Sequence, residues 1–159
     1  MVIKFSKNGK EFHKEIAIQH KISKAVLDGN FSTPKVIDYG TLEDLSWVVM
    51  PQYGENLENN FERRHFTLSR ASILDIGYAM LSLLEAVHSQ GFVYNDLKLN
   101  NLMVGYENIL SPSLSKESAF KDVSIHLVDF GYATRYIDRK SGLHIQPREL
   151  DVFRGNIIF

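Results

Sequence analysis

Tyr94-Asn95-Asp96-Leu97-Lys98-Leu99-Asn100-Asn101, joined further on by Asp129-Phe130-Gly131, is the stretch on which the fold of this chain turns. Asp96, Lys98 and Asn101 stand in the frame D-x-K-x-x-N, directly after the apolar stretch Gly91-Phe92-Val93. Asp129 closes a second apolar stretch, Ile125-His126-Leu127-Val128. Singly these residues carry little: Asp and Asn form turns, and one Lys is a solvated charge. As an ordered set at the ends of two short buried strands, they place two carboxyl groups, an amide and an ammonium group on a rigid scaffold.

Outward from this stretch, the spacing predicts a long helix over Ser69 to Ser89. Ile73, Ile76, Met80, Leu83, Leu84 and Val87 recur at helical intervals, and Gly91 supplies the stop. Upstream, Val2-Ile3-Lys4-Phe5 reads as a strand ended by the turn Ser6-Lys7-Asn8-Gly9. Lys10 to about Val26 reads as a helix with Phe12, Ile16 and Ile22 on one face. Pro34 to Tyr39 and Ser46 to Met50 read as strands separated by Gly40-Thr41-Leu42-Glu43-Asp44, and Gly54-Glu55-Asn56-Leu57-Glu58 opens a short polar helix. Phe92-Val93, Leu102-Met103-Val104 and Ile125 to Val128 are the short strands of the second half. Gly105 to Asp122 reads as a Ser-rich surface insertion and Tyr132 to Arg154 as a long loop. The class is α+β.

The 159 residues suit one domain, and 44% hydrophobic with 23% charged residues is ordinary globular material. A net charge of −1 gives no global field for nucleic acid or an anionic membrane, so neither is expected as a partner. The absence of cysteine excludes disulfides and thiolate metal sites and suits a reducing compartment. No N-terminal apolar core of signal-peptide length and no run of about 18 apolar residues is read. The expectation is a soluble intracellular protein, cytoplasmic and/or nuclear.

The side chains of the opening stretch match the demands of phosphoryl transfer, which needs charge positioned around three equatorial oxygens and little covalent chemistry from the protein. Asp96 is the candidate general base, and Lys98 is placed to neutralise a γ-phosphate. Asn101 and Asp129 offer hard oxygen ligands of the kind that suit Mg²⁺ bridging to phosphates. A P-loop NTPase is excluded, because no G-x-x-x-x-G-K-[ST] occurs.

Together these residues resemble the catalytic centre of a eukaryotic-type protein kinase, of bilobal fold. Apolar-apolar-Lys on the first strand is similar to the V-A-I-K element, which implies that Lys4 grips the nucleotide phosphates and pairs with a helix Glu. Within His13-Lys14-Glu15-Ile16 the better partner is Glu15, with Glu11 as rival. Trp47-Val48-Val49-Met50-Pro51-Gln52-Tyr53-Gly54 resembles the strand-to-hinge connection around adenine. That implies Met50 at the back wall and the backbone of Pro51 and Tyr53 facing the purine. The resemblance is closest to the casein kinase I group, with the vaccinia-related kinases next. It rests on Gly54-Glu-Asn-Leu-Glu, Ala86-Val87-His88-Ser89-Gln90-Gly91-Phe92, Asp129-Phe-Gly-Tyr-Ala-Thr-Arg-Tyr, His144-Ile145-Gln146-Pro147-Arg148-Glu149 and Gly155-Asn156-Ile157-Ile158-Phe159. Small-molecule phosphotransferases share the D-x-x-x-x-N frame but lack Asp-Phe-Gly and the His-Ile-x-x-Arg-Glu segment. The resemblance implies a Ser/Thr protein kinase that uses ATP and Mg²⁺ on protein substrates. The alternative is a catalytically silent kinase-like module that binds nucleotide or protein.

Departures from the pattern carry expectations of their own. Tyr94-Asn95-Asp96 replaces His-Arg-Asp, removing the Arg that commonly receives an activation-loop phosphate, so switching by that route is not expected. Asn156 stands where a Thr is common, and Ile158 where a basic residue is common. The resemblance also implies a fragment truncated at both ends, since a Gly-rich loop should precede Lys4 and further helices should follow Phe159. Residues 1–50 are then a partial N-lobe, 51–54 a hinge and 55–159 a partial C-lobe with the activation segment. The chain is expected to be a monomer once completed and weakly active or inactive alone. The helix stripe Ile73/Ile76/Met80/Leu83/Leu84/Val87 is expected to be exposed for want of a covering partner.

Overall fold

In a computed structural model of the chain, residues 1–7, 9–25, 31–63, 65, 67–105, 120, 123–146 and 155–156 are described. The elements in order are β1 (Val2–Ser6), α1 (Gly9–Ala25), β2 (Phe31–Ser32), β3 (Asp38–Leu42), β4 (Leu45–Met50), α2 (Leu57–Arg63), α3 (Arg70–Ser89) and β5 (Phe92–Val93). A 3₁₀ turn (Leu99–Asn101) leads to β6 (Leu102–Val104), β7 (Ile125–Leu127) and β8 (Thr134–Arg135). The α+β class expected from the sequence is present.

The first sheet is antiparallel in the order β1-β4-β3 and sets Lys4 opposite Val48. Alternation along β4 turns Ser46, Val48 and Met50 to one side, with Ser46 and Val48 buried and Met50 half-buried. There Val48 packs with Phe12 and Ile16 of α1, with Val36, and with Met50. The predicted strand Pro34 to Tyr39 lies later, at Asp38–Leu42. Gly40, expected in a turn, sits instead within β3 opposite Trp47. A Cβ there would stand 2.7 Å from the indole, so the glycine serves close approach across the ladder. The turn itself is Glu43-Asp44, with Glu43 at φ 55.

The second half is built on α3. Ser69 caps its start by accepting a hydrogen bond from the Ser72 N–H at 3.1 Å, and Gly91 follows its end at φ 79. The helix α2 begins later than predicted because Asn56 caps it, accepting from the Asn59 N–H at 2.8 Å. β2 pairs parallel with β7, which pairs antiparallel with β6, and β5 pairs antiparallel with β8. The two-residue strands β2 and β8 are additions to the sequence-based expectation, and β8 falls inside the segment expected to be a long loop.

The stripe on α3 expected to be exposed is largely covered. Ile76, Leu83 and Val87 are buried, and Met80 and Leu84 pack against a core that includes Phe92, Leu102, Ile125, Leu127 and Phe130. The apolar residues left outside are Ile73, Leu74, Tyr78 and Leu81. By length and composition alone α3 is also apolar enough to cross a membrane, contrary to the expectation that no such run exists. Of that apolar window 28% is buried, on the face that packs in this core.

Two core clusters result. Helix α1 enters both, with Phe12 and Ile16 in the smaller and Ile18 and Ile22 in the larger. At the ends of the predicted insertion, the Gly105 N–H donates to the Ser124 carbonyl at 2.8 Å, and the Phe120 ring meets Phe61 edge-on at 6.4 Å. Residues 106–119 and 121–122 of that insertion lie outside the described residues, as do 147–154 and 157–159 of the predicted activation segment.

Candidate active site

Tyr94, directly after β5, locks the two motifs together. Its hydroxyl donates to the Val128 carbonyl, and its buried ring meets Phe130 edge-on at 5.4 Å. Burial pushes the Tyr94 phenol well above its usual range, so it remains a donor. Asn95 then takes a left-handed turn at φ 67, a conformation Asn tolerates better than most residues. Its side-chain amide donates to the Tyr132 carbonyl at 3.0 Å and the Thr134 hydroxyl at 2.9 Å. Its own carbonyl accepts from the Asn156 N–H at 3.1 Å. Where an Arg is common, a neutral amide thus ties the loop to the segment after Asp129. Asn156 also donates from its side chain to the Leu97 carbonyl at 3.4 Å.

The turn delivers Asp96 into a buried position at 4% exposure. Two donors converge on its Oδ2, Lys98 Nζ at 2.8 Å and Asn101 Nδ2 at 2.9 Å, and Asn101 Nδ2 also reaches the Asp96 carbonyl at 3.0 Å. The Asp96 hydrogen bond holds the Lys98 ammonium above its usual range, so Lys98 keeps its charge at neutral pH. The carboxyl group is therefore oriented from two sides before any ligand arrives.

Asp129 sits just past β7, also left-handed at φ 61, with its Oδ1 accepting from the Gly131 N–H at 3.3 Å. Lys4 Nζ lies 3.5 Å from that oxygen and 2.6 Å from Glu15 Oε1. Of the two candidate helix partners, Glu15 and not Glu11 makes the ion pair with Lys4. Asn101 and the strand before Asp129 are joined by the Val128 N–H donating to the Asn101 carbonyl at 3.0 Å.

Burial raises the Glu15 carboxyl above its usual value, while the Lys4 hydrogen bond opposes the rise. The folded state then holds the proton more tightly than the unfolded chain. Ionised Glu15 therefore costs stability as pH rises above 4.5, and the cost is absent in acid below that value. Glu15→Gln is expected to be neutral or stabilising at neutral pH, with its urea midpoint converging on the parent's near about pH 4. Nucleotide affinity of the variant should fall, because Lys4 loses its partner. A parent more stable at neutral pH that loses this advantage in acid would reverse the assigned sign.

Beside these residues opens a cavity of about 410 Å³. Six of its walls are sequence-predicted: Lys4, Glu15, Met50, Pro51, Tyr53 and Asp129. Its size is that of a small-molecule pocket. The segment after β4 is pinned by the Gly54 N–H donating to the Val104 carbonyl at 2.7 Å and the Val104 N–H to the Glu55 carbonyl at 2.9 Å. The Tyr53 ring stacks on His126 at 4.0 Å. Asp96, Lys98 and Asn101 do not line this cavity. They form a second group, tied to the first through the Val128–Asn101 hydrogen bond and the Tyr94–Phe130 contact.

Residues that sequence reasoning missed include Gln19, Met103 and Val128. Gln19 is buried and donates to the Pro34 carbonyl and the Met50 sulfur, each at 3.0 Å. Its spacing of four from Glu15 on a helix was the available signal. Among the described residues no group of three or more His, Cys, Asp or Glu could hold a metal. The Asn101 amide oxygen and Asp129 carboxylate nonetheless fit Mg²⁺, which takes one or two protein oxygens and completes its shell with phosphate and water.

A family model described as the protein kinase domain matches residues 2–155.

Proposed function

The chain belongs to the protein kinase family, and from that premise we propose that it is a Ser/Thr kinase of casein kinase I type, using Mg-ATP on protein hydroxyls. The single observation carrying this reading is the placement of Lys4 Nζ between Glu15 and Asp129 in the wall of the cavity that Met50, Pro51 and Tyr53 also line. Adenine would lie against Met50 and the Pro51–Tyr53 backbone, with its phosphates toward Lys4. Mg²⁺, held by Asn101 and Asp129, would screen the phosphate charge. Asp96 would accept the proton of the attacking hydroxyl, with Lys98 beside it facing the transferred phosphoryl group. Asn95, bonded to Tyr132, Thr134 and Asn156, supports a docked segment that needs no phosphate to hold it.

The casein kinase I assignment rests on the motifs at 54–58, 86–92, 129–136, 144–149 and 155–159. We assign 1–50 to a partial N-lobe, 51–54 to the hinge and 55–159 to a partial C-lobe, and we place the protein inside the cell, as a monomer once the domain is completed. Incubation with Mg-ATP and casein tests the reading. Any transfer, expected to be weak for this chain alone, should give phosphoserine and phosphothreonine. Phosphotyrosine alone would overturn the Ser/Thr assignment, and ATP binding without transfer would favour the silent module.

A further inference from the structure

Helix α1 carries Lys14, Ala17, Ile18 and Lys21 at intervals of three, one and three, so the two lysines stand on one face two turns apart. That face looks across a cleft of about 150 Å³ at Phe92, Arg135 and Arg139. The Arg135 guanidinium lies 4.4 Å from the centre of the Phe92 ring and Lys21 Nζ 5.4 Å from the same centre, so two cations share one aromatic. Lys21 also donates to the Gln90 carbonyl at 3.0 Å.

Among the described residues, no carboxylate lines this cleft. Among the described residues the ion pairs are Lys4 with Glu15 and with Asp129, Arg63 with Glu55, and Lys98 with Asp96, so none of the four cations here has a carboxylate partner. Of the acids on α1 and on the segment after Asp129, Glu15 and Asp138 are occupied, while Glu11, three residues before Lys14, makes no ion pair among the described residues. Glu15 bonds Lys4, and Asp138 accepts from the Lys140 and Ser141 N–H groups and the Ser141 hydroxyl. Burial, and then repulsion from Arg135 and Arg139, lowers the Lys21 ammonium below its usual range, and burial followed by Arg139 does the same to Arg135. Four cations lining one cleft, with no carboxylate partner among the described residues, favour a ligand that brings an anion.

We propose that the cleft between α1 and the segment after Asp129-Phe130-Gly131 binds a phosphate dianion among Lys14, Lys21, Arg135 and Arg139. The cleft admits a compact tetrahedral anion and is far smaller than the cavity of about 410 Å³ beside Lys4. Arg supplies the forked donors that match phosphate oxygens, and the two ammonium groups add point charges. The site is separate from the nucleotide cavity and shares no lining residue with it. A bound phosphate cross-links α1, which carries Glu15, to the strand that follows Asp129. It therefore favours the arrangement in which Lys4 reaches both.

Titration of the chain with inorganic phosphate, at ionic strength held constant with sodium chloride, tests the site. The parent is expected to bind phosphate saturably and to gain thermal stability. Lys21→Gln/Arg139→Gln, with both changes at exposed side chains, should weaken binding about tenfold or more. Without phosphate that variant should be at least as stable as the parent, because like-charge repulsion is relieved. Lys14→Gln alone serves as a second variant with the same direction of effect. Phosphate affinity unchanged in both variants, or a stability gain matched by chloride, overturns the proposal. Parallel titrations with phosphoserine and unphosphorylated peptides identify the source. Tighter binding of the phosphopeptide than of inorganic phosphate assigns the site to a phosphorylated side chain, and the reverse assigns it to the free anion.

Discussion

Asp96→Asn should cut phosphate transfer by about 10²–10⁴-fold, the contribution of a positioned general base, and leave Mg-ATP binding intact. The substitution keeps the shape of the side chain, so the amide it introduces can still offer one oxygen to the Lys98 and Asn101 donors that meet at Asp96 Oδ2. What it loses is the ability to take a proton. Binding should survive because the cavity proposed for the nucleotide is lined by Lys4, Glu15, Met50, Pro51, Tyr53 and Asp129, not by Asp96. Transfer by the variant at the parent's rate would remove Asp96 from its assigned role. Loss of ATP binding together with transfer would show that Asp96 supports the cavity instead.

Phe130→Ala is expected to be the most damaging single change to the fold. Phe130 is fully buried at 0% exposure, lies in the larger core and meets the Tyr94 ring edge-on. Removing a buried Phe costs about 3–5 kcal/mol through lost burial and the cavity left behind. Against a typical domain stability of about 5–15 kcal/mol, this brings the chain near unfolding at ordinary temperature. The check is a urea titration followed by far-ultraviolet circular dichroism, in which the midpoint should fall sharply. The Tyr94 hydroxyl would lose its lock on Val128, so any variant that stays folded should also transfer phosphate poorly. A midpoint close to the parent's would mean that the two motifs are not held together through this contact.

The residues of the candidate site were legible because each is delivered by a local device. Asp96 and Asp129 follow short apolar strands, and Lys98 and Asn101 lie within five residues of Asp96. Helix α3 was legible for the same reason, since a cap, a period and a stop lie in one continuous stretch. Features settled by distant pairing were not. The strands β2 and β8 have two residues each, too few to show a period, and exist because β7 and β5 supply partners. Gly40 reads as a turn former until Trp47 is seen lying against it. The stripe on α3 was expected to be bare because its cover was assigned to helices following Phe159, and spacing alone did not show that Leu102 and Ile125 share its core. The basic cleft was hidden in the same way, with Lys14 and Lys21 near one end of the sequence and Arg135 and Arg139 near the other.

The departure at Asn95 illustrates how the residue and its conformation answer each other. A left-handed turn is needed to swing Asp96 inward, and Asn takes it at less cost than a bulkier residue. The freed amide then secures Tyr132 and Thr134. The position is filled by a residue that both turns the chain and fastens the neighbouring segment.

All of this depends on the cavity beside Lys4 being a nucleotide site completed by a metal at Asn101 and Asp129. A titration of the chain with ATP, in the presence and absence of Mg²⁺, tests that claim most directly. Saturable binding that strengthens when Mg²⁺ is added, with the Mg²⁺ effect lost in Asp129→Asn, is the expected result. No saturable binding, or binding indifferent to Mg²⁺, would contradict it.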